Sequence, residues 1–182
     1  MIQFMSYYLE IWLRGFVKDY FGQISQIDKE NYHPHITLIR PFDISDSEEN
    51  VKQKIVDFCQ GKSPIPFSLE GKGNFDSKTN YIPVINANEL LKFNNDLECL
   101  LERDVEFYQK LNDEKILHIT TNFEYNTEGC PRIDQYMLRL TGIRDNLIWF
   151  SYDFVTGEVL NRDESLNHSR WIQTVQRFSK KY

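Results

Sequence analysis

An α+β fold built on antiparallel sheets is predicted by three features of this sequence. The strand-like segments are short, only a few helical patterns interrupt them, and most links between them are of hairpin length. The 182 residues, 41% of them apolar, suffice to bury a core without disulfides or a structural metal. No low-complexity stretch or flexible linker divides the chain, so residues 1–182 are expected to form one unit.

Residues 7–13 alternate Tyr7, Leu9, Ile11 and Leu13 against Tyr8, Glu10 and Trp12, the period of a half-buried strand. Gly15 ends it, and Phe16, Val17, Tyr20, Phe21, Ile24 and Ile27 follow at helical spacing. A second strand is expected from Tyr32 to Arg40, stopped by Pro41. Ser45 to Glu48 reads as a capping box, in which serine and glutamate satisfy free N–H groups reciprocally. The helix it opens runs through Val51, Ile55 and Phe58, with Gly61 as its stop. Segments 65–75 and 80–86 read as paired strands around an Asp-Ser-Lys-Thr-Asn turn. Leu90, Leu91, Leu97, Leu100 and Leu101 mark a helical pattern over 88–108, and a strand is expected at 115–123. Segments 136–143 and 147–154 form a hairpin turning at Arg144-Asp145-Asn146, and Thr156-Gly157 turns the chain again. A short amphipathic helix is expected over 163–178.

The 21 basic and 27 acidic residues leave a net charge of −6. That excludes the broad basic footprint of a protein coating nucleic acid, but not a pocket that holds one phosphate. Glu10 and Arg14 break the only candidate signal-peptide run, and no stretch approaches the ~20 apolar residues of a membrane span. Cys59, Cys99 and Cys130 are odd in number and lack a C-x-x-C pair, so reduced thiols and a cytoplasmic location are expected. Cys59 and Cys99 fall in helical patterns, where a free cysteine acts as a small core hydrophobe.

The chemistry concentrates in two tripeptides. Two of the four histidines stand in His35-Ile36-Thr37 and His118-Ile119-Thr120, each inside a predicted strand. On a strand, residues i and i+2 share a face. Each strand therefore presents an imidazole beside a hydroxyl, while Ile36 and Ile119 turn to the core. If the two strands face each other over a cleft, four groups converge with approximate two-fold symmetry. Two imidazoles can divide the work of base and acid at neutral pH. Threonine hydroxyls can donate to the non-bridging oxygens of a phosphodiester, where charge builds in the transition state. Two such motifs outweigh the ordinary reading of one His-x-Thr, in which threonine is simply a good strand former. His33 could form an H-x-H metal pair with His35, but no Cys, Asp or Glu cluster adjoins it, and neither metal nor cofactor is expected. His168 is expected to be solvated. Asn122 and Lys115 adjoin the second motif and could touch or steer substrate, while Tyr32, Phe123 or Tyr125 could stack a base.

Pro34-His35-Ile36-Thr37 and His118-Ile119-Thr120 resemble the paired H-x-T signatures of the two-histidine (2H) phosphoesterase superfamily, most closely its 2′-5′ RNA ligase and RNA 2′,3′-cyclic phosphodiesterase-like family. The likeness extends to the opening strand Tyr7–Leu13, the block Pro34–Phe42 and the segment Trp149–Leu166. It implies a bilobal fold, in which two antiparallel sheets form a central cleft, helices pack outside, and each lobe contributes one motif. It further implies metal-free phosphodiester hydrolysis at RNA 2′,3′-cyclic phosphate ends or small cyclic nucleotides, by a monomer without membrane partners. His35 and His118 would be catalytic, and Thr37 and Thr120 would bind the phosphate. Many relatives carry an arginine five residues past the second histidine, where this chain has Phe123; Arg40 stands at that offset after the first and is a candidate phosphate contact. Strict alternation would turn Arg40 away from His35 unless Pro41 bends the strand end. The same site could serve a 2′-5′ RNA ligase, an RNA 3′-end exonuclease or a non-catalytic nucleotide-binding module.

Overall fold

The computed structural model describes residues 6–13, 20, 34–45, 47–75, 77, 79–108, 115–121, 132–143 and 148–161. The expected helix over 16–27 (Tyr20 apart), residues 32–33 and 122–125, Cys130, the turn at 144–146 and the tail 163–178 with His168 lie outside them.

Among the described residues, ten strands and two helices follow in the order β1 (Ser6–Leu13), β2 (His35–Ile44), α1 (Glu48–Cys59), β3 (Ser68–Leu69), β4 (Gly73–Phe75), β5 (Thr79–Ile85), α2 (Asn88–Leu101), β6 (Val105–Phe107), β7 (His118–Thr121), β8 (Tyr136–Gly142), β9 (Ile148–Asp153) and β10 (Val159–Asn161). The strands pair antiparallel, as the short links predict. They form one hydrogen-bonded path, β10-β9-β8-β1-β2-β7-β5-β3, with β4 on β5 and β6 on β2. Mostly antiparallel sheet combined with helices agrees with the expected α+β class. Two arms of one path meet where β2 touches β7 through the single residue pair Ile36–Ile119.

One face of this path is the core. Leu9 and Ile11 of β1, Ile36 and Leu38 of β2 and Ile119 of β7 pack in one cluster with Val51, Ile55 and Cys59 of α1 and Leu90, Leu97 and Leu101 of α2. Fully burying one such aliphatic side chain contributes about 1.5–3 kcal/mol, so the helix-covered face fixes which way each strand is turned. No helix among the described residues is long and apolar enough to cross a membrane.

Several local expectations shift by a few residues, each for a physical reason. The cap of α1 is Ser47 rather than Ser45: the Ser47 hydroxyl accepts from the Asn50 N–H at 3.4 Å, and Glu48 and Glu49 occupy the acid-favouring first turn. Glu48 instead accepts from the Tyr7 hydroxyl at 2.6 Å. Gly61 follows the helix with φ +75°, the left-handed turn that only glycine adopts freely. Pro41 does not end β2. The register on β1 slips twice between Tyr7–Phe42 and Glu10–Thr37, and Pro41 sits in this bulged stretch where no ladder N–H is required. Helix α2 stops at Leu101, and Val105–Phe107 pairs with the end of β2 while Phe107 meets Phe42 edge-on at 6.0 Å. Cys59 is a core residue, its thiol pushed up to about 12 by burial, but Cys99 is exposed. Finally, β1 is more buried than its alternation predicts, with β2 and β8 along its two edges and Glu10 and Trp12 covered like the aliphatic residues.

A two-strand candidate site

The seam between β2 and β7 joins the two motifs. Antiparallel pairing of Ile36 with Ile119 sets His35 across from Thr120 and Thr37 across from His118. Both isoleucines are buried, whereas His35, Thr37 and His118 are half-buried and Thr120 is exposed. The four polar side chains thus share the face opposite the helices. Diagonal neighbours in such a pair stand about 7–8 Å apart, which brings the two imidazoles within reach of one phosphate. The strands that carry the two motifs are immediate neighbours. An antiparallel ladder has local two-fold symmetry, so pairing the central residues of two His-Ile-Thr segments converts a sequence repeat into a symmetric set of four.

Each histidine meets a different environment. The Nδ1 of His118 lies 2.8 Å from the carbonyl oxygen of Ile116. A carbonyl only accepts, so Nδ1 carries a hydrogen there. Its ring packs against Phe75 at 5.0 Å and Tyr81 at 5.2 Å, which are themselves stacked at 4.1 Å. Both aromatics come from the β4–β5 hairpin. A Cβ on Gly73 would overlap the Tyr81 ring, so only glycine lets Tyr81 lie flat there.

His35 stands between Trp12 on β1 and the seam, with the Tyr8 ring 6.2 Å away. Its Nε2 lies 3.7 Å from the Oε2 of Glu10. Glu10 is fully buried, and its Oε1 accepts from the Arg139 guanidinium and, at 3.2 Å, from the Thr141 hydroxyl. The same guanidinium lies 4.0 Å over the Trp12 ring. Burial, reinforced by the Glu10 charge, pushes the Tyr8 phenol up to about 12, so it is neutral and a donor at physiological pH. The register places Arg139, Glu10 and Thr37 in one row across β8, β1 and β2.

Arg40 is half-buried on β2, five residues past His35. Its charge is felt by Lys115, whose ammonium is held below the ordinary lysine range first by burial and also by Arg40. Lys115 reaches across to the core side. It donates to the Leu38 carbonyl, to Asn94 at 2.7 Å and to Glu98 at 3.2 Å. This lysine anchors the approach to β7 rather than steering a phosphate. Among the described residues no three His, Cys, Asp or Glu side chains cluster as metal ligands. His33, Asn122, Tyr32, Phe123 and Tyr125 lie outside the described residues.

Sequence reasoning missed Glu10, Arg139, Phe75 and Tyr81. Glu10 in the apolar run Tyr8-Leu9-Glu10-Ile11-Trp12 and Arg139 in Met137-Leu138-Arg139-Leu140 were the available signal: opposite charges inside two strands that are otherwise apolar need each other. The family model described as the 2′-5′ RNA ligase superfamily matches residues 21–131, more than half of the chain and a span that holds both motifs. No curated protein matches the sequence.

Proposed function

This chain belongs to the 2′-5′ RNA ligase superfamily, and so to the two-histidine phosphoesterases; from that premise we propose that it hydrolyses RNA 2′,3′-cyclic phosphate ends or small cyclic nucleotides by metal-independent acid–base catalysis. The observation that carries the reading is the Ile36–Ile119 pairing, which supports a shared face for the two imidazoles and two hydroxyls. His35 and His118 are the catalytic pair. One takes a proton from water as its oxygen attacks phosphorus, and the other protonates the ribose oxygen as the P–O bond breaks. Thr37 and Thr120 donate to the non-bridging oxygens, where charge accumulates. Arg40, five residues past His35 on β2, supports the phosphate by its charge. A monomer suffices, because all four groups come from one chain.

The reaction requires one histidine in each protonation state, so rate plotted against pH is bell-shaped. With a net charge of −6, the protein favours short ends and nucleotides over long duplexes, with a shallow salt dependence. The test is a substrate panel in excess chelator. It comprises an oligoribonucleotide with a 2′,3′-cyclic phosphate end, nucleoside 2′,3′-cyclic phosphates, a 2′-5′-linked oligonucleotide and an ordinary 3′ end, with product isomers identified. Ring opening to one monoester isomer supports the proposal. Joining of a cyclic end to a 5′ hydroxyl selects the ligase direction of the same site, and stepwise shortening selects the exonuclease. Tight binding of the cyclic end without turnover overturns it in favour of a binding module.

A further inference from the structure

We propose that Lys115 is a positioning residue of the candidate site: its ammonium clasps β2 to β7 where their ladder stops, and so holds His118 across from Thr37. This role rests on the two-histidine reading above and concerns what keeps the two motifs together.

Three observations carry it. First, the seam is short. Among the described residues β2 and β7 pair only at Ile36–Ile119, whereas β7 pairs with β5 at four positions, Asn80 to Pro83. The segment leading into β7 also stays with β5, since the Leu117 carbonyl accepts from the Val84 N–H at 2.8 Å. The ladder alone therefore does little to fix β7, and His118 with it, against β2. Second, Leu38 is a residue that the β1–β2 register skips: Leu9 stands across from Ile39, and Glu10 from Thr37. Leu38 thus has a register partner on neither β1 nor β7, although it is fully buried and adjoins Thr37. A bulged residue drops out of the ladder in this way, and a buried carbonyl needs a donor. Third, that donor is Lys115. Its Nζ donates to the Leu38 carbonyl, to Asn94 Oδ1 at 2.7 Å and to Glu98 Oε1 at 3.2 Å.

An ammonium has three hydrogens, and these three acceptors use all of them. Asn94 and Glu98 stand four residues apart on the buried face of α2, among Leu90, Leu97 and Leu101. Polar side chains on the core face of a helix are costly unless bonded, and the lysine bonds both. The charged groups that face it are Glu98 on α2 and Arg40 on β2. The clasp ties three elements at one point: α2, the bulge of β2 one residue past Thr37, and the chain three residues before His118. Next to Lys115, the Ile116 carbonyl holds the His118 Nδ1 at 2.8 Å. Misplacing a reacting group by about 1 Å costs about 10²-fold in rate, so the clasp reaches the chemistry without touching substrate.

The experiment measures kcat and KM on a nucleoside 2′,3′-cyclic phosphate beside stability in urea. Lys115→Met strands the Glu98 charge and should lose both stability and turnover. Lys115→Met/Glu98→Met removes the pair together and should recover most of the stability. It still lacks a donor for the Leu38 carbonyl, so its kcat should stay about 10-fold or more below wild type, with KM changed by less than about threefold. In this folded double variant the NOE between the Thr37 methyl and the His118 ring should weaken. Lys115→Ala should regain part of its kcat with added propylammonium, and none with tetramethylammonium at equal ionic strength. Recovery of kcat along with stability in the double variant overturns the inference, because Lys115 then serves stability alone. An unchanged Thr37–His118 NOE overturns it as well, and that readout needs no turnover. His35→Ala and His118→Ala serve as controls. If both retain full turnover, the two-histidine reading itself fails; if both lose it while the double variant matches wild type, only the role of Lys115 fails.

Discussion

Replacing Arg139 with methionine should cost more stability than any other single charge removal in the described part of the sheet. Glu10 is 0% and Arg139 5% exposed, and they bond across the β1–β8 ladder at the register pair Glu10–Arg139. Methionine keeps much of the side-chain length over Trp12 but leaves the buried carboxylate without the guanidinium that balances its charge. Removing one partner of a buried ion pair costs about 3–5 kcal/mol, because an uncompensated charge remains. Against a total of about 5–15 kcal/mol for an ordinary domain, that is a large fraction. At roughly 2–4 °C per kcal/mol for a chain of this size, Tm should fall by roughly 6–20 °C. The double variant Glu10→Met/Arg139→Met removes both charges and should recover most of the loss, since apolar replacement of a whole buried pair is often neutral or stabilising. Urea denaturation and thermal melts of the wild type, both single variants and the double variant complete the cycle. An Arg139→Met protein within about 0.5 kcal/mol of wild type, the range of ordinary surface substitutions, would refute the reasoning.

Other outcomes follow from the same geometry. The Tyr136 hydroxyl accepts from the Ile65 N–H at 2.8 Å and donates to the Ile65 carbonyl at 3.2 Å; Tyr136→Phe should cost about 1–3 kcal/mol in urea titrations by leaving those groups unpaired. Tyr8 has a folded pKa of about 12 against an ordinary 10.0, chiefly from burial and then from the Glu10 charge. Its contribution to stability is complete below pH 10 and is lost as pH rises from there toward 12. Tyr8→Phe should therefore flatten that part of the alkaline stability profile, and an unchanged slope would show that the phenol is not buried. Thr37→Val and Thr120→Val should each lower kcat by about 10²-fold on a cyclic phosphate, the scale for losing one oxyanion donor. Thr→Ser at the same positions should retain most activity.

The fold class and both motifs were legible because they depend on local period. Alternation in Tyr7–Leu13 and His35–Thr37 gives the strands, and i, i+2 spacing gives the shared face of each imidazole and hydroxyl. What was not legible depends on pairing across long sequence separation. Nothing in the order of residues says that Ile36 pairs with Ile119, the contact that sets the two motifs side by side. The bulge that carries Pro41 through β2 is likewise a property of the β1–β2 register, not of proline alone. Residues 105–107 look helical beside the leucines of α2, but the free edge of β2 recruits them as a strand. Alternation alone makes Glu10 the polar side of a half-buried strand, whereas Arg139, 129 residues further on, bonds it in the interior. In each case the local pattern was read correctly and the partner strand decided the outcome.

The central claim is that the paired His-Ile-Thr segments form one catalytic unit. Its most direct test is the initial rate of ring opening of an oligoribonucleotide 2′,3′-cyclic phosphate, in chelator, for the wild type, His35→Ala, His118→Ala and the double variant. The account predicts turnover without divalent metal and a loss of about 10²–10⁴-fold in either single variant. The double variant should be little worse than the poorer single, because two groups acting on one phosphate are not additive. A double variant that opens the ring as fast as the wild type would contradict it.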